Sequence, residues 1–516
     1  MSAGTWILLG LGVLVVAVAV YDLTQTKRAI LRNFPVIGHF RYLFEAVGPE
    51  LRQYIVTGND EERPFSRDQR RWVYASAKKE NNYFGFGTDN DLEAANNYLI
   101  VKHATFPKAD RTHDPLHLVP CAKVWGEARG RRKAFRPDSV VYTSAMSYGS
   151  LSQNAIEAIN RGSAIAKTLH NTGEGGISPW HDKGGDLVYQ LGTGYFGART
   201  PDGQLDLERL ADNVARFPIK AIEIKLSQGA KPGRGGVLPA AKVTPVIAQI
   251  RGVPLGKDVI SPAAHTAFHD VDSLLELVEN IAERTGLPVG IKSAVGELGF
   301  WRELARQMQS GERGVDFIQI DGGEGGTGAA PLVFSDHVAL PFKLGFARVY
   351  GIFAEHGLSD KVVWIGSGRL GFPQEAAFAM ALGCDMVALA REPMMAIGCI
   401  QAQRCHSGHC PTGVATQSAW LVRGLDPTDK AARFANYMVT LRKELMWLVA
   451  ATGKDHPYEL TLEDFEILEA GFRVESPRER FGYAEAWRRP DPARAAALAT
   501  LMAGPRVKDA KDEVMA

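Results

Sequence analysis

From residue 139 onward the chain alternates short apolar runs with amphipathic stretches, and that alternation leaves few folds open. The runs 140–146, 186–192, 221–226, 287–294, 315–321, 361–367 and 385–390 are mostly apolar, most of them rich in Val and Ile, and short enough to be strands. Between them, 152–169, 271–286 and 372–383 carry apolar residues at helical spacing. Strands separated by helices are joined by crossovers and therefore pair in parallel. Seven runs are evident, and residues 166–171 offer a place for an eighth. Polar and glycine-rich residues follow these runs rather than precede them. That is the layout of a (β/α)8 barrel, whose functional groups stand at the C-terminal ends of its strands. A doubly wound sheet is the competing arrangement, but no G-x-G-x-x-G directly follows the first run. The expected fold is α/β, a (β/α)8 TIM barrel.

At 516 residues the chain is long enough for this barrel plus extensions. The texture divides it into a transmembrane anchor at 1–25, a mixed N-terminal extension at 26–137, the barrel with a cysteine-bearing loop at 138–425, and a C-terminal helical extension at 426–516. A net charge of +1 does not suggest a nucleic acid partner. The basic run of Arg129, Arg131, Arg132, Lys133 and Arg136 reads as a solvated face or loop. Trp6 to Tyr21 is an uncharged apolar run of 16 residues, followed by Lys27, Arg28 and Arg32. No basic residue precedes it and Tyr21-Asp22-Leu23 is a poor cleavage site, so an uncleaved single-pass anchor is expected. The positive flank keeps the catalytic body in the cytoplasm, at the inner membrane. The charged end, 507–516, reads as frayed.

Five motifs carry chemistry. Gly322, Gly323, Gly325, Gly326, Thr327 and Gly328 follow one strand, and a second turn, Gly366 to Gly371, follows the next. Backbone N–H groups in such turns can converge on an anion, and tandem turns at this place in a barrel suit a cofactor phosphate. Ser147, Gly149 and Ser152 after the first strand are small enough to let a flat ring approach, although Ser152 also suits a helix N-cap. Lys292 lies at a strand end in an apolar run, where a buried ammonium needs an anionic partner, either a flavin ring or an ion-pair acid. Lys225, Gln228, Lys231 and Arg234 gather after another strand, as a dicarboxylate substrate would require, and Glu174 on the turn 171–176 could move a proton or hold an ammonium. Finally, Cys399, Cys405 and Cys410 form C-x5-C-x4-C followed by Pro411. Such a trio suits an iron–sulfur cluster, while His406 and His409 leave a Cys3His zinc site open.

MSYGSLS, NTGEGG, KLSQGAKPGRGGVLP, GGTGAAPL and the cysteine run ending CPTGVATQ resemble the synthase domain of glutamate synthase, in its membrane-anchored, FMN-binding related group, across roughly residues 140–420. The resemblance implies a barrel that binds FMN and one [3Fe-4S] cluster and acts as an oxidoreductase on CH-NH2 donors. The expected reaction is reduction of 2-iminoglutarate, formed from 2-oxoglutarate and ammonia, to L-glutamate. Met146, Ser147, Gly149 and Ser152 match the segment along the flavin, Gln228 and Lys292 residues beside its ring, and Gly326, Thr327, Gly328, Gly366 and Gly368 the phosphate turns. Cys399, Cys405 and Cys410 match cluster ligands, and Glu174, Lys225, Gln228 and Lys231 the substrate and ammonia region.

Arg234 stands where the family carries an acid in KPGEGG. The chain opens on the apolar segment rather than a cysteine nucleophile, so ammonia is expected to arrive free or from a separate amidotransferase subunit. Electrons are expected from an external donor such as ferredoxin. Two other activities fit the same motifs: a methylamine–glutamate N-methyltransferase-like enzyme, and a membrane-tethered electron-transfer or scaffold subunit without turnover.

Overall fold

The computed structural model describes residues 2–25, 28–58, 61–83, 85–109, 114–328 and 330–503. Lys27 and the charged end at 507–516 lie outside the described residues. The chain divides into two compact units, Met1–Arg71 and Trp72–Ala516.

In the first unit, helix α1 (Ala3–Thr24) is 22 residues long, and by length and composition it is sufficient to cross a membrane. It extends beyond the uncharged run at both ends because Ser2 caps its N-terminus and Asp22, near the other end, is satisfied within the unit. A short turn of helix at Ala29–Asn33 leads to helix α2 (Gly38–Leu51).

The second unit is built on a closed barrel of eight parallel strands: β1 (Val141–Thr143), β2 (His170–Asn171), β3 (Leu187–Leu191), β4 (Ile219–Lys225), β5 (Val289–Ser293), β6 (Phe317–Asp321), β7 (Val363–Ser367) and β8 (Met386–Leu389). Each pairs with its sequence neighbour, and β8 closes on β1 through Val387 to Val141 and Leu389 to Thr143. All seven expected runs are strands, and the eighth is the two-residue β2 within the expected window. Its shortness explains its weak signal, since two residues cannot display a period.

Helix starts follow local chemistry. The Ser152 side chain caps α3 (Gln153–Ala166) by accepting from the Ala155 amide. Asp270 and Ser273 form a capping box on α4 (Val271–Thr285). Three further helices matter below: α5 (Phe342–Glu355), α6 (Pro373–Leu382) and α7 (Pro427–Ala451), the last started by Asp426 and Pro427. Helix α7 packs on α3 so closely that a Cβ at Gly162 would lie 2.5 Å from the Phe434 ring.

The lower end of the barrel is plugged by Cys121 and Trp125, which join Tyr142, Val188, Ala221, Phe317, Val363 and Met386 in one buried cluster. Fully burying such side chains contributes roughly 1.5–3 kcal/mol each. The basic run at 129–136 is largely a loop, with Arg132, Lys133 and Arg136 exposed, and it is also tied down. Arg131 donates to Asp316 and Glu279, and Arg136 donates to the Cys121 and Ala122 carbonyls, tying the segment to the barrel base. Tyr98–Val101 pairs antiparallel with Phe465–Glu469, so segments from before and after the barrel share one small sheet.

Candidate active site

The upper, C-terminal ends of the strands hold the charged groups. At the end of β4, Lys225 donates to Gln228 Oε1 at 2.7 Å and pairs with Glu174 Oε1 at 3.0 Å. Glu174 reaches it from the turn after β2, where Gly173 has φ of +66° and a Cβ would sit 2.7 Å from the Ser147 amide nitrogen. Only glycine fits so strained and crowded a position. Lys225 and Lys231 are both buried, and so is Arg251, whose guanidinium donates to the Tyr148 carbonyl at 3.2 Å and lies 5.2 Å from the Phe196 ring centre.

The electrostatics follow from one carboxylate serving three cations. Burial alone would raise the Glu174 carboxyl, but Lys225, Lys231 and Arg251 bring it down to about 2. Burial, and then repulsion from Lys225 and Arg234, pull Lys231 down to about 8 despite Glu174. Burial lowers Arg251 to about 10, with Glu174 acting the other way. Glu174 is therefore a permanent anion at neutral pH, and Lys231 is the group able to exchange a proton there. Arg234 is exposed and lies over the Phe334 ring at 5.6 Å.

Sequence reading missed Arg251, because an arginine in the last turn of a short helix, Pro245–Arg251, carries no motif. It also missed His265, whose Nε2 donates to the Lys225 carbonyl at 2.9 Å while Nδ1 accepts from Tyr195 at 3.0 Å. Neither Arg251 nor His265 is near Glu174 in the sequence.

Beside this cluster, Lys292 on β5 stands in register with Lys225 on β4 and is 3% exposed. Among the described residues its ammonium has no hydrogen-bond or ion-pair partner. A buried, unpaired ammonium is costly, so the site fits an anionic group from outside the chain. Met146 is buried; its amide donates to the Asn171 carbonyl, and its own carbonyl accepts from His181 Nε2 at 3.0 Å. Ser147 bonds Ser150 at 3.0 Å, and a Cβ on Gly149 would lie 3.2 Å from Arg251. Ser152 is fully buried beneath this turn as the α3 cap.

Among the described residues both glycine turns retain free amides, that of Gly368 in the second and three in the first. Gly322, Gly323 and Gly325 spend their amides on Ser367, Leu340 and Gly322 carbonyls. The amides of Gly326, Thr327 and Gly328 donate to no described residue, which fits a phosphate. Arg391, at the end of β8, packs where a Gly326 Cβ would be and donates to the Glu324 carbonyl. Gly366 lies inside β7, where a Cβ would meet the Phe342 ring at 2.7 Å. Gly368 has φ of +141° and faces the Glu324 carboxylate, which caps α5 by accepting from the Phe342 amide at 2.8 Å.

The cysteine loop abuts that turn: a Cβ on Gly328 would lie 3.1 Å from Cys405 Cβ. Tyr74 donates to the Cys399 carbonyl and Lys242 to the Cys405 carbonyl, both at 2.9 Å. Burial would raise the Cys410 thiol, but hydrogen bonds from Ala415, Thr412 and Val414 bring it below its ordinary value. Cys410 is buried, and Cys399 and Cys405 are partly exposed on the same loop. His406 and His409 are exposed, and among the described residues no group of three or more His, Cys, Asp or Glu side chains is arranged to hold a single metal ion.

A closed parallel (β/α)8 barrel with its charged cluster and glycine turns at the C-terminal mouth defines the architecture of a barrel enzyme. Residues 100–455 match the family model described as the conserved region in glutamate synthase, and the chain belongs to that family. It is 38% identical over 477 residues to the glutamate synthase large subunit-like protein YerD of Bacillus subtilis, covering 86% of this chain and 90% of the relative. It is 36% identical to the archaeal glutamate synthase [NADPH] of Methanocaldococcus jannaschii over 322 residues, 61% of this chain and 59% of the relative. The glutamate synthase [NADPH] large chain of Bacillus subtilis is 32% identical, matching 60% of this chain and only 20% of the relative.

Proposed function

We propose that the chain is an FMN-dependent oxidoreductase of glutamate synthase type, acting on a 2-oxo dicarboxylic acid and ammonia to form L-glutamate through 2-iminoglutarate. The observation that carries this reading is Glu174 set among Lys225, Lys231 and Arg251 beside the unpaired Lys292. Lys231 and Arg251 would bind the two carboxylates of the substrate. Glu174, held anionic, would attract ammonium beside the 2-oxo carbon, and neutral Lys231 would take one of its protons so that ammonia can add there. Loss of water from the resulting carbinolamine requires a proton on the departing hydroxyl, which Lys231, titrating near 8, can give. FMN would lie between the Met146–Gly149 turn and Lys292, with its phosphate at Gly326–Gly328, Gly368 and Arg391; when bound it supplies the hydride for the imine carbon. Gln228 would meet the substrate face of the ring. A [3Fe-4S] cluster on Cys399, Cys405 and Cys410 would supply single electrons from a donor such as ferredoxin. Helix α1 would anchor the protein in the cytoplasmic membrane, with Arg28 and Arg32 on the cytoplasmic side.

The test is anaerobic purification of the full chain, its visible spectrum, and turnover with a reduced dye, 2-oxoglutarate and ammonia. Formation of L-glutamate with oxidation of the dye supports the proposal. Turnover of N-methylated substrates without net electron consumption would support the methyltransferase-like reading. Full FMN occupancy with no 2-oxoacid bound would leave a scaffold or electron-transfer subunit.

A further inference from the structure

The N-terminal unit carries an apolar surface that the barrel chemistry leaves unused. Along α2, Phe40, Leu43, Phe44, Val47 and Leu51 recur at helical spacing and make one stripe, each between 40% and 65% exposed. Phe34 and Ile37 extend it at the start, 62% and 70% exposed. Contiguous apolar surface of this kind marks an interaction site.

The start of α2 is fixed to the end of α1. Asp22, fully buried, accepts from the Val36 amide at 2.8 Å and from His39 Nε2 at 2.9 Å. Gln25 closes the corner by donating to the Asp22 and Arg28 carbonyls and accepting from the Arg28 amide. Gly38 seats on Leu31, and the Arg28 guanidinium lies 4.4 Å over the Tyr42 ring.

An α1 of 22 residues is about 33 Å long, close to the hydrocarbon thickness of a bilayer, roughly 30 Å. If α1 spans, Asp22 lies at the water boundary, and the corner starts α2 at that same depth. Helix α2 runs on through one further turn, Arg52–Val56, but Arg41, Glu45, Glu50 and Arg52 within it make it too polar to cross. Arg28, Arg32 and Arg52 lie along the same unit, the charge that anionic headgroups attract, while Arg41 is paired with Glu45. We propose that α2 lies in the membrane–water interface with its Phe40–Leu51 stripe in the acyl boundary of the bilayer that α1 enters. The corner of Asp22, Gln25 and His39 is then the elbow between a spanning and an interfacial helix. This rests on the reading of α1 as a span.

The test uses the full chain in nanodiscs of mixed neutral and anionic phospholipid carrying a diazirine on the acyl chain. Carbene insertion sites are located by mass spectrometry. Label on α1 and on Phe40, Phe44 and Leu51, with Tyr42 and Glu45 spared, is the expected result. Label on α1 alone overturns the interfacial placement while leaving the span intact. Label on neither helix overturns the span itself, and the placement with it. Chain-to-chain cross-links through the α2 stripe in place of lipid adducts identify a second copy as the occupant and also overturn the proposal. Phe40→Ser/Phe44→Ser should lose most lipid label on α2 with α1 labelling unchanged.

Discussion

Replacing Glu174 with Gln keeps the shape of the side chain and removes the charge that three buried cations share. The fall of its carboxyl from 4.5 to about 2 is a stabilisation of about 3 kcal/mol at about 1.4 kcal/mol per tenfold change. Lys231 limits the loss, because a lysine already near 8 can release its proton when the carboxylate goes. The expected destabilisation is therefore about 2–3 kcal/mol at pH 7, near the low end for removing one partner of a buried pair. The barrel unit has about 445 residues, and at roughly 2.1 cal/mol/K each its unfolding entropy is about 0.9 kcal/mol/K. Thermal unfolding in detergent should then shift down by about 2–3 °C. The folded pKa is depressed, so the contribution is full above 4.5 and is lost as pH falls toward 2. The gap between wild type and variant should shrink as pH rises toward 8, where Lys231 sheds its proton, and narrow again well below 4.5. An unchanged midpoint at pH 7, or a gap as wide at about pH 3.5 as at pH 7, would refute the claim that Glu174 neutralises this cluster.

Lys292→Met should lower the potential of bound FMN by roughly 30–60 mV, the equivalent of one charge-assisted contact; an unchanged potential in spectroelectrochemical titration removes Lys292 from the ring. Turnover should decline as pH rises through about 8, the point at which Lys231 loses its proton. Lys231→Arg, which cannot pass on a proton, should lose most turnover, and a variant that keeps both turnover and the limb would assign the proton to another group. Cys405→Ser should lose iron on elemental analysis with the fold retained, and zinc without iron in the anaerobic wild type would end the cluster assignment. Carbonate or high-salt washing should leave the full chain with membranes, since apolar burial is not screened; release into the supernatant would count against α1 as an anchor.

The alternation of strand and helix was legible because a parallel barrel buries its strands on both faces and so writes them as apolar runs. The glycine turns and the cysteine trio were legible because each is local, with its donors or thiols within a few residues. Lys292 was legible as a lysine in an apolar strand, but its lack of a partner among the described residues was not. The Ser152 N-cap was legible because capping is local, whereas the close approach of the Phe342 ring to Gly366 was not.

By itself, then, the sequence determined the strand and helix order, the apolar N-terminal helix and the local turns, because propensity, periodicity and backbone chemistry act over short separations. Tertiary structure alone decided that Lys225, Lys231 and Arg251 share the field of the Glu174 carboxylate, that Gly328 lies against Cys405, and that Tyr98–Val101 pairs with Phe465–Glu469. Those relations join residues tens to hundreds of positions apart, and closure of the barrel is what brings strand ends and their loops to one mouth.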